Sequence, residues 1–382
     1  MLGENSTLLN EANGKLQVKG LSSIAMQGRK ASVAENKGAI TLENATATKF
    51  EDGLVGIAVD GENSVGKNSG KINIGNTDSG VETKYSIGML AEDKATIVNE
   101  FAGVITGTGE NNVGMYSKGV DLATTTAKNE GTISMEKESS AGMFGEKTTI
   151  LNKNEISVQD KSAAMYAKNA NALNKSSIEV NGVNSAGVLT ELSEAGIEIT
   201  GNNTNNGTIT VNSKESAAMY GKTVGTLDDN SKLTLKNSGN IKIESKGSAG
   251  ILVENAGNAK KENVKAVNEG IITLATGKTG NVGILADNAT AENLKEISVL
   301  GQESTGMFAK NKGIITNKEG ATISLEGERA TGMRANNSEA INEGEITATG
   351  INSLGMLAEA SGKALNKKNI KVSGENALGM TI

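Results

Sequence analysis

Apolar and polar residues alternate with period two over short stretches of this chain, and the stretches return. SAAMYAK at 162–168 reappears as SAAMYGK at 216–222, and SAGVLTE at 185–191 keeps the same skeleton between them. The shared pattern is a small residue, Gly or Ala, then an aliphatic one, then any residue, then usually another small one. Met26, Ile57, Met89, Met115, Met143, Met165, Val188, Met219, Ile251, Ile284, Met307, Met333, Met356 and Met380 fill the aliphatic position, fourteen copies set 22–33 residues apart. Ten of the 12 Met residues stand there, which chance does not produce. A period of 20–50 residues predicts a solenoid, a propeller or an array.

Two further patterns lie inside each repeat. An Asn is followed two residues on by Gly and four on by Ile, as in Asn36-Gly38-Ile40, Asn129-Gly131-Ile133, Asn268-Gly270-Ile272 and Asn342-Gly344-Ile346. A second aliphatic follows the Ile by two, as in Ile178 and Val180 or Ile241 and Ile243. A shorter apolar piece precedes the Asn, as in ALNK at 172–175. Each repeat thus reads strand, turn, short strand, Asn-Gly turn, strand, turn. No stretch carries a helical apolar period with caps, and the L-x-x-L-x-L run of leucine-rich repeats is missing. The prediction is an all-β, right-handed parallel β-helix of about 14 rungs with three short strands each, spanning 1–382 as one solenoid. Stacked at the usual strand spacing, the rungs would make a rod of roughly 65 Å. A left-handed β-helix would need strict hexapeptides, which gaps of 22–33 residues do not supply.

Tolerance at each position assigns its side. The Met column admits only Met, Ile and Val and should point inward. The column two residues earlier (Ile24, Val55, Val113, Ala163, Leu354) shares its face by strand geometry and is expected in the core with it. The residue after the Met accepts Gln27, Arg334 and Thr381 and should face water. The Asn column is expected to be a turn ladder: Asn tolerates a left-handed backbone, and its amide can bond the Asn of the next rung.

Composition narrows the chemistry. The 382 residues include no Pro, Cys, His or Trp, and aromatics make up 2%, which suits a thin core of stacked small aliphatics. Without His or Cys, the common nucleophile–base pairs and zinc sites are excluded. No catalytic residue, metal ligand or cofactor is assigned. The nearest approach to an acidic cluster is LDDNSK at 227–232, which reads as a turn before it reads as a calcium site. A net charge of −6 argues against nucleic acid and anionic membranes as partners. There is no run of 18 apolar residues, and no membrane insertion by this segment is expected. The start, MLGENSTLLNEANGK, lacks the features of a signal peptide.

The recurrent S-x-G-M-[YFL]-A, followed by N-x-G-x-I, resembles the passenger repeats of the large fusobacterial autotransporter adhesins secreted by the type V route. It is carried by SIGMLAE at 86–92, SAGMFGE at 140–146, STGMFAK at 304–310 and SLGMLAE at 353–359, and covers the whole chain. The resemblance implies a surface-exposed, extracellular segment of a longer passenger, anchored in the outer membrane by a barrel that this chain does not include. It implies attachment to a host cell-surface protein or glycan, or to a partner bacterium.

Two features depart from repetition. Extended corners are expected at 43–54, 75–86, 191–204, 222–236 and 254–266. They are read as loops outside the stacked strands, removable without unfolding the chain. Such loops on a regular scaffold are where function concentrates, although neutral insertion is equally cheap in a solenoid. Second, the outward column after the Met holds five of the eight aromatics. Beside the small residues that precede each Met, it would form a ridge of rings next to a smooth strip. Tyr116, Phe144, Tyr166, Leu189, Tyr220 and Leu252 are the candidate binding residues. Stacked rings that simply stabilise the sheet are the competing account. The functional expectation is an adhesive, non-enzymatic segment. The alternatives are a β-helix polysaccharide lyase or hydrolase, which would need three or more acidic or basic groups converging in a cleft, and a mechanical spacer. Bare strand edges at Leu16–Val18 and Gly379–Ile382 are expected to favour end-to-end self-association.

Overall fold

The structure is a computed structural model and describes residues 1–43, 47–75, 83–122, 124–199 and 203–382. It is a right-handed parallel β-helix of about 14 rungs, with strands in three parallel sheets of 15, 15 and 14. Among the described residues there is no α-helix, only two short 3₁₀ turns, Phe50–Asp52 and Lys261–Asn263. The chain divides into two compact units, Met1–Leu189 and Thr190–Ile382.

In the first unit one rung runs through strands Ala141–Glu146, Thr149–Asn152 and Ile156–Val158. The next runs through Ala163–Lys168, Asn171–Asn174 and Ser177–Val180. Registry is like on like: Met143 pairs with Met165, Asn152 with Asn174, and Ile156 with Ile178. The second unit repeats the plan. Thr305–Lys310, Ile314–Asn317 and Thr322–Leu325 stack on Thr331–Asn336, Glu339–Asn342 and Glu345–Ala348, with Met307 on Met333 and Asn317 on Asn342. Met143, Met165, Met307 and Met333 are fully buried, as are the Ile of the third sheet, such as Ile133, Ile156, Ile323 and Ile346. Met135, outside the Met column, fills a gap in the third sheet: a Cβ on its neighbour Gly107 would lie 2.5 Å from the Met135 Cε.

The column two before the Met is split: Val113 and Ala163 are buried, Val55 and Leu354 half-buried and Ile24 exposed, and it does not share the face of the Met. Val113 pairs with Ala141 and Met115 with Met143, but the intervening Gly114 and Gly142 are skipped in the ladder. The backbone bends at the small residue and turns it inward. A Cβ on Gly114 would sit 2.6 Å from the Gly142 carbonyl oxygen and 2.9 Å from Ile133 Cγ2. Ala164 and Ala218, at the same position, are fully buried. The bend breaks the period-two count, so the residue before it faces outward. Ile87, Val113 and Ala141 accordingly cluster with Leu90, Tyr116 and Phe144 of the outer face. The expected smooth strip of small residues is therefore interior.

The Asn column forms the expected amide ladder. In the first unit Asn10, Asn36, Asn68, Asn99, Asn129 and Asn152 each donate Nδ2 to the Oδ1 of the next Asn, at 2.7–2.9 Å. In the second, Asn205, Asn237, Asn268, Asn293, Asn317 and Asn342 do the same. None of these twelve has a positive φ. They end strands, and their amides also bond the carbonyl of the corner beyond, as Asn36 does to Gly38 at 3.3 Å. The left-handed residues stand four before and four after the Met instead, as with Asn111, Ser139 and Lys161 before it, and Asn288, Asn311 and Asn337 after it. A second ladder occupies the corner before the Met strand. The Ser140 amide donates to Ser162 Oγ at 3.0 Å, and the Asn112 amide to Ser140 Oγ at 3.2 Å.

The mid-chain corners are not loops outside the strands. Leu192, Ile199, Leu233, Leu235 and Val264 are fully buried. Glu198–Ile199 pairs with Lys232–Leu233, and Leu233–Asn237 with Val264–Asn268. The extra residues widen the rungs and bring their own core. Residues 200–202 of the 191–204 corner, 44–46 of 43–54 and 76–82 of 75–86 lie outside the described residues. In the described parts of the last two, Phe50 meets Tyr85 edge-on at 5.7 Å.

Candidate binding surface

Each first-sheet strand presents two outward positions after its Met, at one and three residues on. The Met is held inward by stacking, so alternation alone aims both at solvent. The first carries rings and aliphatics. In the first unit Tyr116, Phe144 and Tyr166 occupy successive rungs and stack nearly parallel, at 4.8 Å between centroids and 9° and 19° between planes. Leu189 stands at the corresponding position at the end of that unit. In the second unit Tyr220 pairs with Leu252, and Leu252 with Leu285. All six candidate residues are half-buried. Tyr116 and Phe144 rest on the outward Ile87, Val113 and Ala141, so part of their burial is a satellite core on the outside of the sheet.

The second outward position carries charge. Glu92 pairs with Lys118, and Lys118 with Glu146. Glu146 meets Lys168 at 3.2 Å. In the second unit Lys222 meets Glu191 at 2.9 Å and Lys310 meets Asp287 at 3.0 Å, and Arg334, from the first outward position, meets Glu359 at 2.8 Å. Exposed pairs of this kind add little stability, about 0–1 kcal/mol each. They tie down the ring column, because the tyrosine hydroxyls donate to them: Tyr116 to Glu146 at 3.3 Å and Tyr220 to Glu254 at 2.6 Å. Burial, reinforced by the neighbouring carboxylate, raises both phenols above their ordinary pKa. The Arg334 guanidinium lies 4.8 Å over the Phe308 ring. The rings are thus fixed in orientation, with one face or edge left to solvent.

LDDNSK is a turn. Asp228 accepts from the Gly196 amide at 3.0 Å, the Asn230 amide at 3.1 Å and Ser231 Oγ at 2.7 Å. The Ser231 hydroxyl first, then the Gly196 amide, hold its carboxyl below the usual range. Among the described residues no three acidic side chains converge to hold a metal ion, and no helix is long and apolar enough to cross a membrane. Sequence reasoning passed over the serine ladder, although its signal was the Ser three before the Met in the S-x-G-M motif. It also passed over the charged column, which shows only once the register is known.

Stacked rungs with a dry aliphatic interior, an amide ladder and a fixed outer column of rings and charges define a pectate-lyase-like β-helix. The family model of the BigA third pectate lyase-like domain matches residues 1–100, 77–187 and 234–382, and the chain belongs to that family. The match is consistent with the adhesin passenger repeats that the motifs resemble, and it makes this a surface adhesin-type passenger domain. No curated protein and no solved structure gave a match.

Proposed function

We propose that this segment mediates attachment to host cells or to other bacteria, as part of a passenger displayed at the cell surface, and that it does so without catalysis. The observation that carries the reading is the outward column of oriented rings in a chain of adhesin-type family. Rigid aromatic side chains lose little entropy on binding, and they recur at the centres of protein interfaces. Tyr116, Phe144 and Tyr166 in the first unit, with Leu189 at its end, and Tyr220 and Leu252 in the second, are the proposed contacts. Partners are a host surface protein or glycan, or a neighbouring bacterium.

The test is adhesion of beads coated with the 382-residue chain to host cells and to bacteria. The triple variant Tyr116→Ser, Phe144→Ser, Tyr166→Ser runs alongside, with its fold checked by circular dichroism. Attachment that falls at least tenfold in the folded variant supports the reading. Unchanged attachment places the contact off this column. Failure of the parent chain to attach to any cell makes the segment a spacer.

A further inference from the structure

In the second unit the corner between the first and second sheets changes width abruptly. The rung of Ile251 makes a half-exposed excursion, 256–263, with Ala259 buried, before rejoining the second sheet at Val264. The rungs above it turn tightly through left-handed residues, Asn288, Asn311, Lys312 and Asn337. The step leaves a groove of about 450 Å³. Small-ligand sites span about 300–1,000 Å³. Lys261 reaches from the excursion to donate to the Lys312 carbonyl at 3.2 Å, fixing one wall to the floor.

The lining is polar and directional. Glu254 and Asp287 sit side by side in register, two like charges flanked in the same column by Lys222 and Lys310. Tyr220 holds Glu254, while Lys310 and Asn311 hold Asp287. Asn288, Asn311, Lys312 and Asn337 complete the lining, with the Asn288 amide donating to the Asn255 carbonyl at 3.1 Å. Carboxylates accept pairs of hydroxyl protons. Amides and the ammonium donate to hydroxyl and ring oxygens. A ligand bearing a further carboxylate or sulfate would be repelled by Glu254, although Lys310 pairs with Asp287 at 3.0 Å.

We propose that this groove binds a neutral, uncharged oligosaccharide and excludes acidic glycans. The proposal rests on the adhesive reading above and narrows it to one ligand class at one corner. It also separates this chain from a polyuronate-binding β-helix, which would require a cationic groove.

The experiment is a titration of the purified 382-residue chain against a panel of neutral, uronic, sialylated and sulfated oligosaccharides. Ala256→Trp should fill the groove, because Ala256 lines it and is exposed. Asn311→Gly with Asn337→Gly removes two amides, and Gly accepts the left-handed backbone. The expected result is saturable binding of a neutral member, weakened at least tenfold by either variant with an unchanged melting temperature. Glu254→Gln with Asp287→Asn should raise binding of acidic members at least tenfold. Binding of acidic members alone by the parent chain, no neutral binding, or neutral binding indifferent to Ala256→Trp would overturn the proposal. Bead adhesion separates the two layers. Cells that still attach when no neutral glycan binds overturn this groove and leave the adhesive reading standing; absence of both overturns the adhesive reading as well.

Discussion

Replacing Asn129 with Ala isolates one step of the amide ladder. The side chain is fully buried. It accepts from Asn99 Nδ2 at 2.9 Å and donates to Asn152 Oδ1 at 2.9 Å and, at 3.5 Å, to the Glu155 carbonyl. Truncation removes two well-formed bonds, each about 1 kcal/mol net. What the neighbours keep decides the rest. A fully orphaned buried group would add about 1–3 kcal/mol. Asn99 Nδ2, however, retains the carbonyls of Gly103 at 3.2 Å and Thr132 at 3.4 Å, and Asn152 Oδ1 retains the Asn154 amide at 3.3 Å. Neither partner is orphaned, so the total should be about 1–3 kcal/mol. Because each rung leans chiefly on its neighbours, the loss should also be local. Urea melts give the magnitude. Hydrogen exchange locates it, with acceleration expected at the amides of Glu130 and Lys153, which bond the carbonyls of Asn99 and Asn129. A loss within about 0.5 kcal/mol, the range of an unremarkable surface change, would refute a structural role for the ladder.

Met165→Ala should cost about 2–5 kcal/mol as a cavity in a dry core, and Tyr166→Ala clearly less; urea melts showing the reverse would invert the assignment of inside and outside. Burial first, then the hydrogen bond to Glu254 and its charge, raise the Tyr220 phenol above its ordinary pKa of about 10, so the folded chain favours the neutral form. That contribution is whole below about pH 10 and is lost above it, where the unfolded chain ionises first, so Tyr220→Phe should flatten the alkaline decline in urea midpoint. Cutting 222–236 to the nine-residue spacing seen between Met165 and Asn174 should unfold the second unit, because it deletes buried Leu233 and Leu235. Circular dichroism and soluble yield read that outcome, and a stable, soluble deletion would show that the corner lies outside the core.

The columns were legible because a solenoid core is a repeated constraint. Each Met must match the Met above and below it, and each Asn must find the next amide, so both survive as visible recurrences. The bend at the small residue was hidden. Period-two counting carries Val113 and Met115 to one face, and only the backbone shows that Gly114 turns inward between them. The left-handed corners were misplaced for a related reason. The ladder Asn was credited with the turn because Asn tolerates positive φ; other Asn, such as Asn111, Asn288 and Asn337, do adopt it, but Lys161, Glu215 and Arg329 share those corners, so residue type alone does not mark them. The corner insertions were counted correctly in length and misjudged in burial. Their apolar residues, Leu192, Ile199 and Leu233, lie in no repeating column, so nothing in the pattern marked them as interior.

That distinction bears on where a ligand can sit. In a stacked helix sameness is a packing requirement, so function must show itself as departure from sameness. Departures come in two kinds. Those that carry apolar residues, such as the widened rungs through Leu233 and Val264, are absorbed into the core and leave no new surface chemistry. Those that are polar have no core to join. The excursion 256–263 is half exposed, and it stands beside two carboxylates that are neighbours in register. A like-charged neighbour is unfavourable for the sheet, by a few tenths to about 1 kcal/mol. Lys222 and Lys310 flank the pair and offset part of that cost, and the same column holds Asp60 beside Glu92 in the first unit. A ligand that donates hydroxyl protons to both Glu254 and Asp287 would offset the rest.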